Sequence, residues 1–342
     1  PGGDVQFGPA AVVDGAGIVH VVYSASSAGD PANSATLMYA RISADGEISD
    51  PVSVAPDANA GYQMMPAIAA DPDGGVHLIW RDQRLVSSEA RAEHPANANL
   101  FVSDLVDGTW TAPVQLTEPD TADGAGTADA WPHLALQKDR LVAVWSIYSG
   151  ATDEAMKSAS RIEWATRPLD NPTGWSEPVM LLEQTDGEIG GRLIDVAGNA
   201  DGQIAAVYGA FARTTNALML RRLDPGAADW SPEIALSGGD FGYMPSIAVA
   251  PDGKLFIAFN AGRNKNVEVG GMAVPAGADK PIGPVSLTPA EDGLQARAVV
   301  AVTASGVPWI VYMHQPIGSN TATEIRTLRG FDVGQSETGA GG

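Results

Sequence analysis

Trp80-Arg81-Asp82-Gln83-Arg84 sets a guanidinium beside a carboxylate where an apolar run ends in an aromatic. Such a pair suits anion binding by the fork of Arg81 and proton transfer by Asp82, and equally suits the cap of a strand end. Arg192 and Arg297 stand at the head of segments whose four relatives begin with Pro9, Pro66, Pro132 and Pro245. The backbone asks for no guanidinium there. Two forks suit a carboxylate or sulfate, while Glu188, Asp195 and Glu291 offer pairing within the chain. Glu188 is the second candidate acid. Tyr62, in Gly61-Tyr62-Gln63-Met64-Met65-Pro66, and Tyr243, in Gly242-Tyr243-Met244-Pro245, share an aromatic–Met signature, and Trp131-Pro132 resembles it. These rings suit stacking on a sugar or gripping a peptide side chain; packing inside the protein is the competing use. Asp120, Asp123 and Asp129 sit in an acidic, Gly-rich stretch that offers oxygen ligands to calcium, although the spacing matches no EF-hand and a solvated loop fits as well. No other cofactor is expected. His20, His77, His94, His133 and His314 show no metal-ligand spacing. His20 and His77 occupy one strand position in two repeats and read as packing residues. Neither a phosphate-binding glycine loop nor a nucleophile elbow is present.

The elements that position these residues come from an internal repeat. Six copies of a strand, a Gly- or Asp-containing turn and a second strand close on Tyr23, Trp80, Trp145, Tyr208, Phe259 and Tyr312, at spacings of 57, 65, 63, 51 and 53 residues. Between the copies lies a third strand, a turn, often a Trp, and a Pro–apolar strand, as in Leu100 to Leu116. Asp-Gly pairs at 45–46, 73–74, 107–108, 201–202 and 252–253 fit hairpin turns. Four short antiparallel strands repeated six times predict an all-β, six-bladed β-propeller around a central channel, with blades starting near 9, 66, 132, 192, 245 and 297. The closing aromatics then pack between blades. One domain is expected over 1–333, followed by a flexible Gly-rich tail, 334–342. The last repeat lacks a fourth strand, which Asp4 to Phe7 would supply. Long second-to-third-strand loops (24–36, 81–99, 146–161, 209–217, 260–266, 313–323) put function on one face.

Composition limits the partners. Of 342 residues, 41 are Asp or Glu and 20 are Lys or Arg, a net charge of −21, which argues against a polyphosphate ligand and hence against nucleic acid. The absence of cysteine excludes disulfides and thiolate metal sites. No apolar run reaches the length of a membrane span. Together with abundant Asp, Ala, Gly and Thr, this suits an extracytoplasmic, periplasmic or secreted protein whose signal peptide has been removed.

On these repeats, over roughly 9–329, the chain resembles the sialidase superfamily of six-bladed propellers. Asp107-Gly108-Thr109-Trp110 keeps the tail of that family's aspartate box, Ser-x-Asp-x-Gly-x-Thr-Trp, with Gly174-Trp175 and Asp229-Trp230 as weaker remnants. The resemblance implies a site of arginines around a substrate carboxylate, an Asp acid/base and a Tyr nucleophile paired with Glu. Arg192, Arg297, Asp82, Glu188 and Tyr312 are the positions it points to. The family's Arg-Ile-Pro motif is missing, and Tyr312 belongs to the packing column. The expected function is therefore non-catalytic binding of a glycan or protein partner, possibly within a larger assembly, with a glycoside hydrolase or another carbohydrate-active enzyme as the alternative.

Overall fold

A computed structural model describes residues 5–26, 35–56, 62–86, 98–118, 127–149, 161–183, 188–212, 215–237, 241–262, 267–288, 293–316 and 323–330. The first and second strands of each sheet are joined by tight turns whose chemistry is readable. Asp71 Oδ1 accepts the backbone N–H groups of Asp73 and Gly75 at 2.9 and 2.8 Å, and Gly74 takes φ +91°, which a side chain would resist. Asp14 holds the corresponding turn through the N–H groups of Ala16 and Ile18. Alternation sets the faces: β2 (Val19–Ser26) reads half-buried, buried throughout, whereas β6 (Val76–Asp82) is buried on both faces.

All pairing between the described strands is antiparallel, and no helix occurs among the described residues. The fold is that of a six-bladed β-propeller. The first sheet is β1 (Val5–Val13), β2, β3 (Thr36–Ile42) and β4 (Val52–Ser53). The second is β5 (Met64–Ala70), β6 and β7 (Asn99–Val106), with β8 (Thr109–Trp110) and β9 (Val114–Gln115) both pairing β7. The third is β10 (Thr127–Gln137), β11 (Arg140–Ser149), β12 (Arg161–Pro168) and β13 (Val179–Glu183). The fourth runs from β14 (Glu188–Gly198) through β15 (Ile204–Ala212) and β16 (Thr215–Leu223) to β17 (Ile234–Ala235). The fifth comprises β18 (Phe241–Val249), β19 (Leu255–Ala261), β20 (Glu268–Val274) and β21 (Ile282–Ser286). The sixth has three described strands, β22 (Gly293–Val302), β23 (Pro308–Pro316) and β24 (Glu324–Arg329). Val5, Gln6 and Phe7 do not stand apart as the start of another sheet. They pair with Ser26, Ala25 and Ser24 and so extend β1. Residues 334–342, and most of the long loops 24–36, 81–99 and 146–161, fall outside the described residues.

The chain divides into two compact units, Pro1–Glu183 and Gln184–Gly342, each with three of the sheets. In the first unit Trp145 packs on Ile79, Leu100 and Val102 of the preceding sheet, and Trp80 on Val22 and Leu37 of its own predecessor. In the second, Phe259 packs on Val207 and Leu218. Trp80, Trp145 and Phe259 thus each join two successive sheets within a unit, and truncating one to Ala costs about 3–5 kcal/mol. Gly270 completes the Phe259 contact: a Cβ there would lie 2.4 Å from the ring.

Candidate ligand-binding site

The first strands share a device that sets how their entry residues are presented. Pairing slips between Phe7 and Ala10, Met64 and Ala67, Ala130 and His133, Tyr243 and Ser246, and Ala296 and Val299. Two residues oppose one at each slip, which is a β-bulge. The first bulged residue has positive φ in all five: Gly8 (60°), Met65 (54°), Trp131 (53°), Met244 (53°) and Arg297 (54°). A side chain in this region costs on the order of 1–2 kcal/mol, which Gly avoids. Four of the five sheets nevertheless carry a large residue. Arg297 therefore does not replace the Pro of the other repeats, as the sequence alignment had it. Ala298 takes that slot, and Arg297 shares its slot with Met65, Trp131 and Met244.

In the first unit Tyr62 and Trp131 are half-buried. Tyr62 stacks on Phe7 at 6.0 Å and 24°. No described residue accepts the buried indole N–H of Trp131. Behind them lies Arg81, 4% exposed, whose Nη1 approaches Met64 Sδ at 2.8 Å. Burial pulls its pKa down to about 10, opposed by Asp129, Tyr62 and Tyr148, so it remains a cation at neutral pH. Arg81 thus contributes a buried positive charge rather than a solvent-facing fork.

Asp82 is fully buried. Its carboxylate accepts from Trp80 Nε1 (2.8 Å), Gln63 Nε2 (3.3 Å), and the backbone N, Nε and Nη2 of Arg84 (2.8, 2.9 and 2.7 Å). Gln63 in turn accepts the N–H of Leu37 at 2.9 Å, tying the first sheet to the second. With five donors on two oxygens, Asp82 has the surroundings of a structural carboxylate.

In the second unit Arg297 is exposed, its own N–H donating to Asn260 Oδ1 at 3.0 Å. Asn260 Nδ2 reaches Met244 Sδ at 3.5 Å, so one amide serves two bulges. Glu188, Arg192 and Tyr243 lie on β14 and β18, and their side chains are outside the described residues. Asp120 and Asp123 are also outside them, and only Asp129 of the calcium candidates is placed. It sits on β10, 3% exposed, accepting from Thr117 Oγ1 at 2.5 Å. Burial, reinforced by Glu163, pushes its pKa up to about 7 against the pull of Thr117, Arg161 and Arg81. Among the described residues no three His, Asp or Glu side chains group to hold a metal ion. Tyr312 is buried, in keeping with its place in the packing column.

Sequence reasoning missed two features of the first unit. The first is an ionic knot. Arg167, 1% exposed, donates to both oxygens of Asp104 at 2.7 and 2.9 Å, while His77 faces Asp104 with Nδ1 (2.6 Å) and Asp71 with Nε2 (3.2 Å). Burial raises the Asp104 pKa, but His77 and Arg167 outweigh it and hold the carboxyl below its ordinary value. The turn motif Asp-x5-His, present at Asp71/His77 and again at Asp14/His20, was its visible trace: His20 Nε2 lies 3.1 Å from Asp14 and Nδ1 lies 2.8 Å from the Tyr39 hydroxyl. The second is a cleft of about 480 Å³ between the second and third sheets, lined in part by Asp129, Arg161, Glu163 and Trp175. Its residues are scattered over 65 positions of sequence, from Val114 to Pro178, with no motif to link them.

No family model matches the chain, and neither does any curated protein. Solved structures do. A protein of unknown function from Dyadobacter fermentans aligns at TM-score 0.63 and 12% identity over 96% of this chain and 94% of its own. An ulvan lyase of polysaccharide lyase family 25, bound to a glucuronate–rhamnose-3-sulfate unit, aligns at 0.60 and 12%, over 94% and 78%. The NanB sialidase of Streptococcus pneumoniae aligns at 0.60 and 9%, over 95% and 67%. At these identities the likeness establishes architecture alone: the chain has a sialidase-like six-bladed propeller fold.

Proposed function

We propose that this protein is a carbohydrate-binding propeller that holds a glycan without turning it over, and that it works outside the cytoplasm. The observation that carries the reading is the first-strand bulge. A backbone slot that favours Gly holds Met65, Trp131, Met244 and Arg297, a cost that packing alone does not repay at half-exposed positions. Trp131 adds a half-buried ring suited to stacking on a sugar. Asp82, the carboxylate best placed in the sequence for acid–base work, is occupied by Trp80, Gln63 and Arg84. That favours binding over hydrolysis. The acidic, cysteine-free composition supports the extracytoplasmic setting.

The test is a glycan array with fluorogenic glycosides run on the same sample, followed by Trp131→Gly. Gly relieves the backbone strain, so the melting temperature should stay within a few degrees of the parent while affinity for the retained glycan falls about tenfold or more. Glycoside turnover would make the protein a hydrolase. A Trp131→Gly variant that melts early yet binds normally would return Trp131 to packing. Retention of no glycan, with a protein partner captured through the same bulge residues, would shift the reading to protein recognition.

A further inference from the structure

The cleft between the second and third sheets lies within the first unit and is built from different residues than the bulges. Its wall carries Glu118, Asp129, Glu163 and Glu177 against a single cation, Arg161, whose Nε is bound to Glu163 at 2.8 Å. Asp129 is 3% exposed and lines the cleft; Thr117 holds its Oδ2, and no described residue donates to Oδ1. Burial and Glu163 work against the charge of Asp129, and Arg161 and the buried Arg81 offset them only in part. Among the described residues no three His, Asp or Glu side chains group to hold a metal ion. Trp175 supplies a half-buried ring, fixed from behind by Arg167, whose guanidinium carbon is 5.6 Å from the ring centroid. The buried indole N–H of Trp175 has no described acceptor. The volume of about 480 Å³ falls within the ordinary range for small-molecule sites, roughly 300–1,000 Å³.

We infer that this cleft binds a protonated amino sugar, its ammonium group held by Asp129 and Glu163 and its ring laid against Trp175. The ligand class rests on the carbohydrate reading above; the site does not. Ammonium supplies positive charge to a wall lined by four acids and one arginine. A sugar ring supplies hydroxyls for Thr117 and Ser176 and an apolar face for the indole.

The experiment is calorimetric titration of the whole chain with a fully deacetylated glucosamine tetramer, its N-acetylated counterpart and tetralysine. The deacetylated tetramer should bind at least about tenfold more tightly than either control, because only it offers both charge and ring. Glu163→Gln, at a partly exposed position where folding is checked by circular dichroism, should lose about tenfold in that affinity. It should leave untouched any neutral glycan bound through Trp131. Equal binding of the N-acetylated tetramer, equal binding of tetralysine, no binding at all, or an unchanged Glu163→Gln each overturns the inference. A neutral glycan lost in Trp131→Gly but retained in Glu163→Gln would overturn it while leaving the carbohydrate function standing.

Discussion

Asp82 and Asp129 are the same residue type, in adjacent sheets of one unit, and both are buried. Asp82 accepts five hydrogen bonds, three of them from Arg84. Asp129 accepts one, from Thr117, and burial, reinforced by Glu163, pushes its carboxyl up to about 7 against Thr117, Arg161 and Arg81. Burial is common to the two; the number and charge of donors differ. A buried acid fully supplied with donors becomes part of the frame. One with a single donor and an acidic neighbour is held nearer its neutral form.

The comparison breaks first at Asp82. Replacing it with Ala leaves Trp80 Nε1, Gln63 and the Arg84 guanidinium without their acceptor, at a cost of about 3–5 kcal/mol, and should lower the denaturant midpoint more than any other change considered. A stable Asp82→Ala protein would mean that the five bonds contribute little. Arg167→Met should cost nearly as much, because it strands Asp104 and leaves His77 with two carboxylates. The Asp104 pKa is lowered by folding. Its contribution is therefore full above the ordinary carboxylate range and is lost as the pH falls through the depressed value. Acid titration of stability should be steeper in the parent than in Arg167→Met.

Asp129→Asn has the opposite sign. With its pKa raised from 3.8 to about 7, Asp129 favours the fold while protonated. Relative to a neutral residue, stability is retained below pH 3.8 and falls as the pH climbs through 7. The neutral amide escapes that loss. At pH 8 the variant should exceed the parent by up to about 4 kcal/mol, and near pH 4 the two should converge. Urea midpoints across that range measure the difference. A parallel pH dependence in both proteins would remove Asp129 as its source.

These two acids also mark how far the sequence could be read. The six repeats, their closing aromatics and the propeller fold were legible because each rests on local periodicity. Trp80 and Trp145 announce themselves as packing residues by recurrence. The sequence singled out Asp82, beside Arg81 at a strand end, as the chemical residue, and offered Asp129 only as a calcium ligand. What decides between them is the company brought by folding: Gln63 from 19 positions away, Thr117 from 12, Glu163 from the far side of a hairpin. The Arg167–Asp104 pair spans 63 residues and has no local signature beyond the Asp-x5-His turn. Arg297 shows a finer limit. Sequence alignment set it against Pro, and only the pairing register, with Ala296 on Met313 and Val299 on Val311, reveals the bulge that moves it by one.

The smallest expected effect sharpens the comparison most directly, since it alters donor supply without touching either acid. Thr117 Oγ1 donates to Asp129 and accepts the N–H of Leu100 at 2.9 Å. Thr117→Val keeps the shape and removes both bonds, at about 1–3 kcal/mol for the groups left unsatisfied. Thr117 favours the charged form of Asp129, so its loss should raise that pKa further and carry the fall in stability to higher pH. Thr117→Ser retains the hydroxyl and should restore both the midpoint and the pH profile. If Val and Ser behave alike, the methyl group matters rather than the hydrogen bond. If Val costs stability but leaves the pH profile where it was, then burial and Glu163 alone set the Asp129 carboxyl, and donor supply does not separate it from Asp82.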